Sequence, residues 1–308
     1  GETDRKRAAT LCQVGRHEFD PSELKVVPEW PLVYWWSEGF LGEYARTPKL
    51  GDESDVVKGI DTGRNARFLR RPWELCTMRE AVVAARLDSR EPVQGPWVPY
   101  IKGSAGKAWF EPLDYLVRWE NAGVEIRCRA ETSSGTTIRN TGFFFTRGVA
   151  FTSTGSACVA RVHRYRSICD NKGSSAYPQD LYEATCIMNS ARGAQVLRDL
   201  NPTVSFQVGD AKRLPLFRYG DSGEVFRVLE ASFTHSEFNR PGPTSWRGAQ
   251  EWAQLAVDGG AKAHEYVEQL EPESPTSHVS FALGVALGRF VTDSAPTRTT
   301  LPDVVLPG

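Results

Sequence analysis

The residues best suited to chemistry in this sequence are cationic and hydrogen-bonding side chains spaced by glycine. Residues 58–71 read KGIDTGRNARFLRR, with Lys58, Arg64, Arg67, Arg70 and Arg71 set against Asp61 alone. Gly59 and Gly63 free the backbone there, and Thr62 and Asn65 add short hydrogen-bonding side chains. Backbone N–H groups with Lys and Arg suit phosphate oxygens, while Arg, Asn and Gln can reach base edges with two hydrogen bonds at once. A second cationic run, RVHRYRSICDNK at 161–172, carries Arg161, Arg164, Arg166 and Lys172 against Asp170. A third stretch, WVPYIKGSAGKAW at 97–109, interleaves aromatic residues with Lys102 and Lys107. Such mixtures also line carbohydrate and peptide grooves, so the residues alone define a surface for a polyanion or a polar ligand.

Catalytic motifs do not stand out. The sequence contains no Gly-x-Gly-x-x-Gly, phosphate loop, Gly-x-Ser-x-Gly elbow or His-Glu-x-x-His. The histidines at 17, 163, 235, 264 and 278 are scattered. The cysteines at 12, 76, 128, 158, 169 and 186 form no Cys-x-x-Cys pair, which points to free thiols and a cytoplasmic protein. Cys158, His163 and Cys169 are the nearest approach to a metal cluster, but their spacing fits no zinc pattern. No catalytic residue and no metal is therefore expected in this chain.

The chain has 308 residues, 40% hydrophobic and 24% charged, enough to bury a core and to form about two domains. Its net charge of −1 taken alone argues against a nucleic-acid binder, for which a basic domain is expected. The charge is unevenly spread, however. Residues 221–308 hold six Lys/Arg and twelve Asp/Glu, leaving 31 basic and 26 acidic residues in the first 220. No run approaches the ~20 apolar residues of a membrane helix, and the charged start GETDRKRAATL lacks the apolar core of a signal peptide.

These cationic segments need a scaffold. The pattern predicts a short helix over 2–13, a strand at 17–20, a helical turn at 21–25 and an aromatic helix over 30–44 whose rings serve the core. It predicts a strand near Val56 and Val57, a glycine-held loop after it, and a helix over 78–88. From 95 to 170, short aromatic and β-branched runs broken by Gly and Ser read as strands and turns. One or two helices follow Pro178, then a strand at 203–209, then helices from 222 onward, including one at 277–290. The fold class is α+β: a β-rich core with flanking helices and a helical C-terminal part. The expected domains are a helical lead-in over 1–45, a β-rich recognition domain over 46–220 and a helical scaffold over 221–308.

Specific strings add a family resemblance. KGIDTGRNARFLR at 58–70 resembles the Gly-Leu-x-Thr-Gly-x-Asn-x-x-Phe motif of the large adenine-specific DNA methyltransferases of BREX and phage-growth-limitation defence systems, which are type IIG-like. In the same order, WVPYIKG (97–103, with Ser104 for a second Gly), YLVRWENAGVEI (115–126), NTGFFFTRGVAFTST (140–154, with Phe151 for Trp), LNPTVSFQVGDAKRLPL (200–216) and SHVSFALGVALGRF (277–290) resemble further family segments.

In that family these segments follow the methyltransferase domain and belong to the target-recognition and C-terminal region. The resemblance thus implies a specificity region that grips duplex DNA, so that an adenine can be flipped toward a catalytic domain. That domain is expected upstream, missing from this chain together with the Asn-Pro-Pro-Tyr motif and the S-adenosylmethionine loop; by itself the chain is expected to carry no cofactor. The implied DNA contacts are Lys58, Arg64, Arg67, Arg70, Arg71, Lys102, Lys107, Arg161, Arg164 and Arg166 for phosphates, with Thr62, Asn65 and Gln207 for bases or backbone. Asn65 and Asn201 have an alternative role in holding their own loops, and Asp210 and Glu120 read as partners of basic residues. Two other readings stay open. One is an interaction module for another phage-defence protein or a DNA-mimicking phage inhibitor; the other is a hydrolase whose carboxylates converge only in the fold.

Overall fold

In the computed structural model the aromatic stretch 30–44 is not one helix. Glu29 and Trp30 take positive φ (65° and 49°) ahead of Pro31. The helix begins only at Glu38, where the Ser37 hydroxyl accepts from the Phe40 N–H at 3.2 Å and caps it. The structure describes residues 1–11, 20–75, 93, 95–103, 107–152, 158–203, 205–238, 246–260, 279 and 283. The chain divides into two compact units, residues 1–47 and 48–308.

The first unit holds α1 (Glu2–Leu11), a 3₁₀ turn (Glu23–Val26) and α2 (Glu38–Arg46). Leu24, Val27, Val33, Trp36, Leu41 and Tyr44 are buried, with Trp36 edge-on to Phe40 at 4.7 Å. Trp30, Tyr34 and Trp35 are exposed (63, 46 and 54%), as is Leu32, so of the rings expected in the core Trp36 and Tyr44 are buried and these three are not. Without helical periodicity from 30 to 37 they share no inward face.

The second unit is built on two sheets. The first contains β1 (Val56–Val57), β9 (Ser175–Ala176), β6 (Val149–Phe151), β7 (Ala160–Val162) and β4 (Trp109–Phe110), paired in that order. All its pairings are antiparallel except β4 with β7. The second contains β2 (Leu69–Arg70), β5 (Tyr115–Arg118), β3 (Trp97–Ile101) and β8 (Ile168–Cys169), with β3 and β8 parallel. Ile101, Ala150 and Cys169 form a small buried cluster contributed by strands of both sheets.

Helices complete the unit: α3 (Leu50–Glu53), α4 (Asn65–Phe68), α5 (Glu120–Thr132), α6 (Leu181–Asn189), α7 (Ala191–Leu200), α8 (Val208–Lys212), α9 (Ser222–Phe238) and α10 (Trp246–Val257). Ser190 makes two helices of the run after Pro178: it ends α6, and its hydroxyl accepts from the Gly193 N–H to start α7. Along α9, Val225, Phe226, Leu229 and Phe233 face Trp109, Phe110 and Val162 in one buried cluster that α10 also joins. Each such side chain contributes roughly 1.5–3 kcal/mol on burial. A second cluster, containing Ile60, Phe68, Val98, Val117, Trp119 and Ile126, lies against the four-stranded sheet.

The architecture is α+β, with three local corrections. First, α5 interrupts the stretch read as strands and turns; it opens on a left-handed turn at Asn121, Ala122 and Gly123 (φ 48°, 57° and 75°). Second, the described residues of 203–209 form no strand. The Asp210 carboxylate accepts from the Gln207 N–H at 2.8 Å, which folds that stretch into the start of α8. Third, Arg161 is fully buried. Its Nε donates to Glu111, beside β4, at 2.5 Å and its Nη1 to the Thr152 hydroxyl, beside β6, at 2.8 Å, so it reaches toward both neighbours of β7. A phosphate contact needs an accessible guanidinium, so Arg161 is removed from the candidate DNA contacts.

The strand expected at 17–20 (Asp20 apart), the helix at 78–88 and most of 277–290 lie outside the described residues, as do Cys12 and Cys76. Among the described residues no helix is long and apolar enough to cross a membrane, and no group of His, Cys, Asp and Glu is placed to hold a metal ion.

Two predictions follow from this packing. A Cβ on Gly59 would lie 1.7 Å from the Cys169 carbonyl oxygen. Gly59→Ala is therefore expected to lower unfolding free energy by ~2–3 kcal/mol in urea titrations, as overpacking does; unchanged stability would contradict that approach. His163 is buried, with Nδ1 3.2 Å from the Thr146 carbonyl and Nε2 3.0 Å from the Ser175 hydroxyl. Burial holds its imidazole neutral, with a pKa lowered from 6.5 to about 4. Between those values the unfolded chain binds the proton and the folded one does not. Stability is thus lost as pH falls from 6.5 toward 4, by on the order of 3 kcal/mol in all. Urea midpoints across that window should fall more steeply for the parent chain than for His163→Gln.

Candidate nucleic-acid interface

The sequence between Val57 and Asn65 is drawn into a fixed path by backbone pairing. Ile60 N–H donates to the Cys169 carbonyl at 2.8 Å, and Asn171 N–H donates back to Ile60 at 2.9 Å. Asp61 and Thr137 then exchange hydrogen bonds of 2.8 and 2.9 Å with the loop that follows α5. The Asn140 amide donates to the Lys58 carbonyl at 2.8 Å. Three stretches far apart in sequence meet here, because the Lys58 ammonium also donates to the Gln207 side-chain oxygen at 3.0 Å.

Within this loop several candidates turn out to hold one another. Thr62 is fully buried; its hydroxyl donates to the Asn65 side-chain oxygen at 2.7 Å, and its carbonyl accepts from the Thr136 hydroxyl. Gln207 binds Lys58 and Ser205. Asn201, in the parallel loop-holding role, donates to the Ser205 carbonyl and to Asp210. Asp210 also pairs with Arg213, and Glu120 with Arg118. Arg64 differs: it is exposed, and its side chain has no hydrogen-bond or ion-pair partner among the described residues.

A second group of cations gathers around Tyr115 on β5. The Arg71 guanidinium lies 4.0 Å from the Tyr115 ring centre and donates to the Asp114 carbonyl at 3.2 Å. Lys102 lies 5.9 Å from the same ring and 3.8 Å from the Asp170 carboxylate. Lys107 pairs with Asp114 at 2.8 Å. Arg70 stands 5.5 Å from the Trp97 ring and donates to the carbonyls of Ala66 and Leu69. Arg67 pairs with Glu125 of α5. The Arg67–Glu125 and Lys107–Asp114 pairs are solvent-accessible, and such pairs contribute only ~0–1 kcal/mol, so an incoming phosphate can displace the carboxylate at small cost.

The run 161–172 does not join this group as a block. Arg161 is internal, and Arg164 stacks 4.0 Å from the Phe233 ring of α9. Arg166 is half-buried. Asp170 accepts from the Tyr100 hydroxyl at 2.7 Å, and burial pushes that phenol well above its ordinary value. His163 and Cys169 share a hydrogen-bond chain through Ser175, with burial raising the Cys169 thiol to about 11. Arg139, a cation not among the sequence candidates, is exposed beside Asn140 in the loop that pairs with Asp61. Its signal was its place in a Gly-, Ser- and Thr-rich turn next to an Asn that begins a motif.

A cavity of about 440 Å³ lies apart from these loops, lined by Pro48, Glu53, Pro178, Asp180, Glu183, Leu216 and Arg218 among others. Its lining includes no aromatic side chain. The Asp180 carboxylate caps α6, and Glu183 accepts from the Tyr219 N–H, so both acids already serve the fold.

No family model matches the chain. It is similar to the adenine-specific methyltransferase BrxX of Escherichia coli O9:H4 (strain HS), at 23% identity over 203 residues, 64% of this chain and 16% of the relative. It is also similar to the adenine-specific methyltransferase PglX of Lacticaseibacillus casei (strain Zhang), at 27% identity over 226 residues, 70% of this chain and 18% of the relative. The chain thus spans less than a fifth of the length of the curated relatives it matches. These two similarities relate the chain to a region of the adenine-specific methyltransferases BrxX and PglX.

Proposed function

We propose that this chain serves DNA target recognition in a site-specific adenine methyltransferase, holding duplex DNA so that the target adenine reaches the catalytic part of the enzyme. The observation that carries this reading is the convergence of three separate stretches, at Lys58, Asn140 and Gln207, on one loop that presents Arg64. All three lie in the segments that resemble the methyltransferases.

In this reading Arg67, Arg70, Arg71, Lys102, Lys107 and Arg139 bind phosphates and fix the register of the duplex. Arg164 and Arg166 are proposed as supporting cations, and Thr62, Asn65 and Gln207 hold the loop that carries the contact. The acidic helix α9 faces away from the duplex, because its carboxylates repel phosphate.

S-adenosylmethionine would supply the methyl group in the whole enzyme. Its adenine ring needs a flat slot, and the cavity beside α6 has no aromatic wall to form one. That one cavity offers the cofactor's adenine no ring to stack on, and methyl transfer is assigned to no residue lining it.

Neutralising Arg67, Lys107 and Arg139 together with Gln tests the reading. Affinity of the full chain for mixed-sequence duplex should fall at least ~tenfold, and the slope of log K against log salt should shrink by roughly two to three. Unchanged affinity and slope, or no binding by the parent chain, would refute the reading.

A further inference from the structure

Resting on that DNA-recognition reading, we infer that Arg64 is the specificity-determining residue of this surface and reads a guanine through its O6 and N7. The inference comes from how the loop distributes its side chains. The short polar residues that could have touched base edges are already engaged: Thr62 with Asn65, and Gln207 with Lys58. The neighbouring cations are drawn to carboxylates, carbonyls or rings: Arg67 to Glu125, Arg70 to two carbonyls and Trp97, Arg71 to Tyr115. Those placements suit phosphate, which needs charge within reach and little else.

Among the described residues, Arg64 combines a planar fork without a hydrogen-bond or ion-pair partner with a fixed base. Gly63 before it takes φ 65°, and a Cβ there would meet the Thr136 hydroxyl at 2.4 Å and the Gly135 carbonyl at 2.7 Å. The Arg64 carbonyl accepts from the N–H groups of Arg67 and Phe68, so its backbone is held on that side too. Phe68 is buried in the core under the four-stranded sheet. A rigid base under a free guanidinium is what two parallel hydrogen bonds to one base require, because the two donors must arrive together. Arg to guanine is the pairing whose geometry this fork matches.

The test is selection of bound sequences from a random duplex pool, followed by affinity measurements, on the full chain and on Arg64→Lys and Arg64→Gln. Lys keeps the charge but loses the fork, which separates readout from attraction. The parent chain should enrich a guanine at one position of its site. Both variants should lose that preference. Affinity of Arg64→Lys for the enriched duplex should fall roughly tenfold, with its salt slope unchanged. Retention of the guanine preference in both variants would overturn the inference. So would Arg64→Gln weakening all duplexes alike with the slope smaller by about one, which would make Arg64 a phosphate contact and leave DNA recognition standing. Binding by the parent chain without any guanine preference would also overturn it. Failure of the parent chain to bind any duplex would overturn both readings.

Discussion

The second unit depends on one close approach: the backbone of residues 58–60 running against Cys169 and Asp170 with no side chain between. Just before it, Val56 and Val57 pair with β9 in the five-stranded sheet. Just after it, Ile60 pairs beside β8 of the four-stranded sheet, and Asp61 pairs with Thr137. One short run of chain therefore belongs to both sheets, and only Gly at 59 allows the contact. The hydrogen bonds along it satisfy backbone groups that would each cost ~1–3 kcal/mol if buried alone. The position of the loop at 61–65 follows from that seam, not from the loop's own residues.

Charge is divided by the same architecture. The strands on either side of the buried Arg161–Glu111 pair are covered on both faces, so β7 buries Ala160, Arg161 and Val162 in succession. Burial pushes the Glu111 carboxyl up, and the guanidinium beside it works against that. Removing one partner of such a pair leaves an uncompensated charge, which is why it belongs to the fold and not to a ligand surface. Exposed cations on the loops and strand ends around Tyr115 and Arg64 are therefore the ones left to meet a ligand.

The legible parts of the sequence were those set by local chemistry. The α+β class, the strand at Val56–Val57, the two helices after Pro178 and, among the described residues, α9 and α10 all have their own punctuation. The loop-holding role of Asn201 and the ion-pair roles of Asp210 and Glu120 were legible for the same reason. What could not be read was decided by partners distant in sequence. Arg161 looks like any surface arginine until Glu111 is placed 2.5 Å from it. The run 203–209 alternates like a strand, but Asp210 reaches back and caps a helix. The rings at 30, 34 and 35 look like core because their density fits a helix that Ser37 does not allow to start before residue 38.

In the proposed reading, the loop at 58–65 and its partner loop at 133–140 form the surface that meets DNA. Amide hydrogen exchange of the full chain with and without a mixed-sequence duplex measures this most directly. Added protection is expected at 58–65, 133–140 and the strand ends near Tyr115, with none along 222–257. Protection confined to 222–257, or no change at 58–65 when duplex is bound, would contradict it.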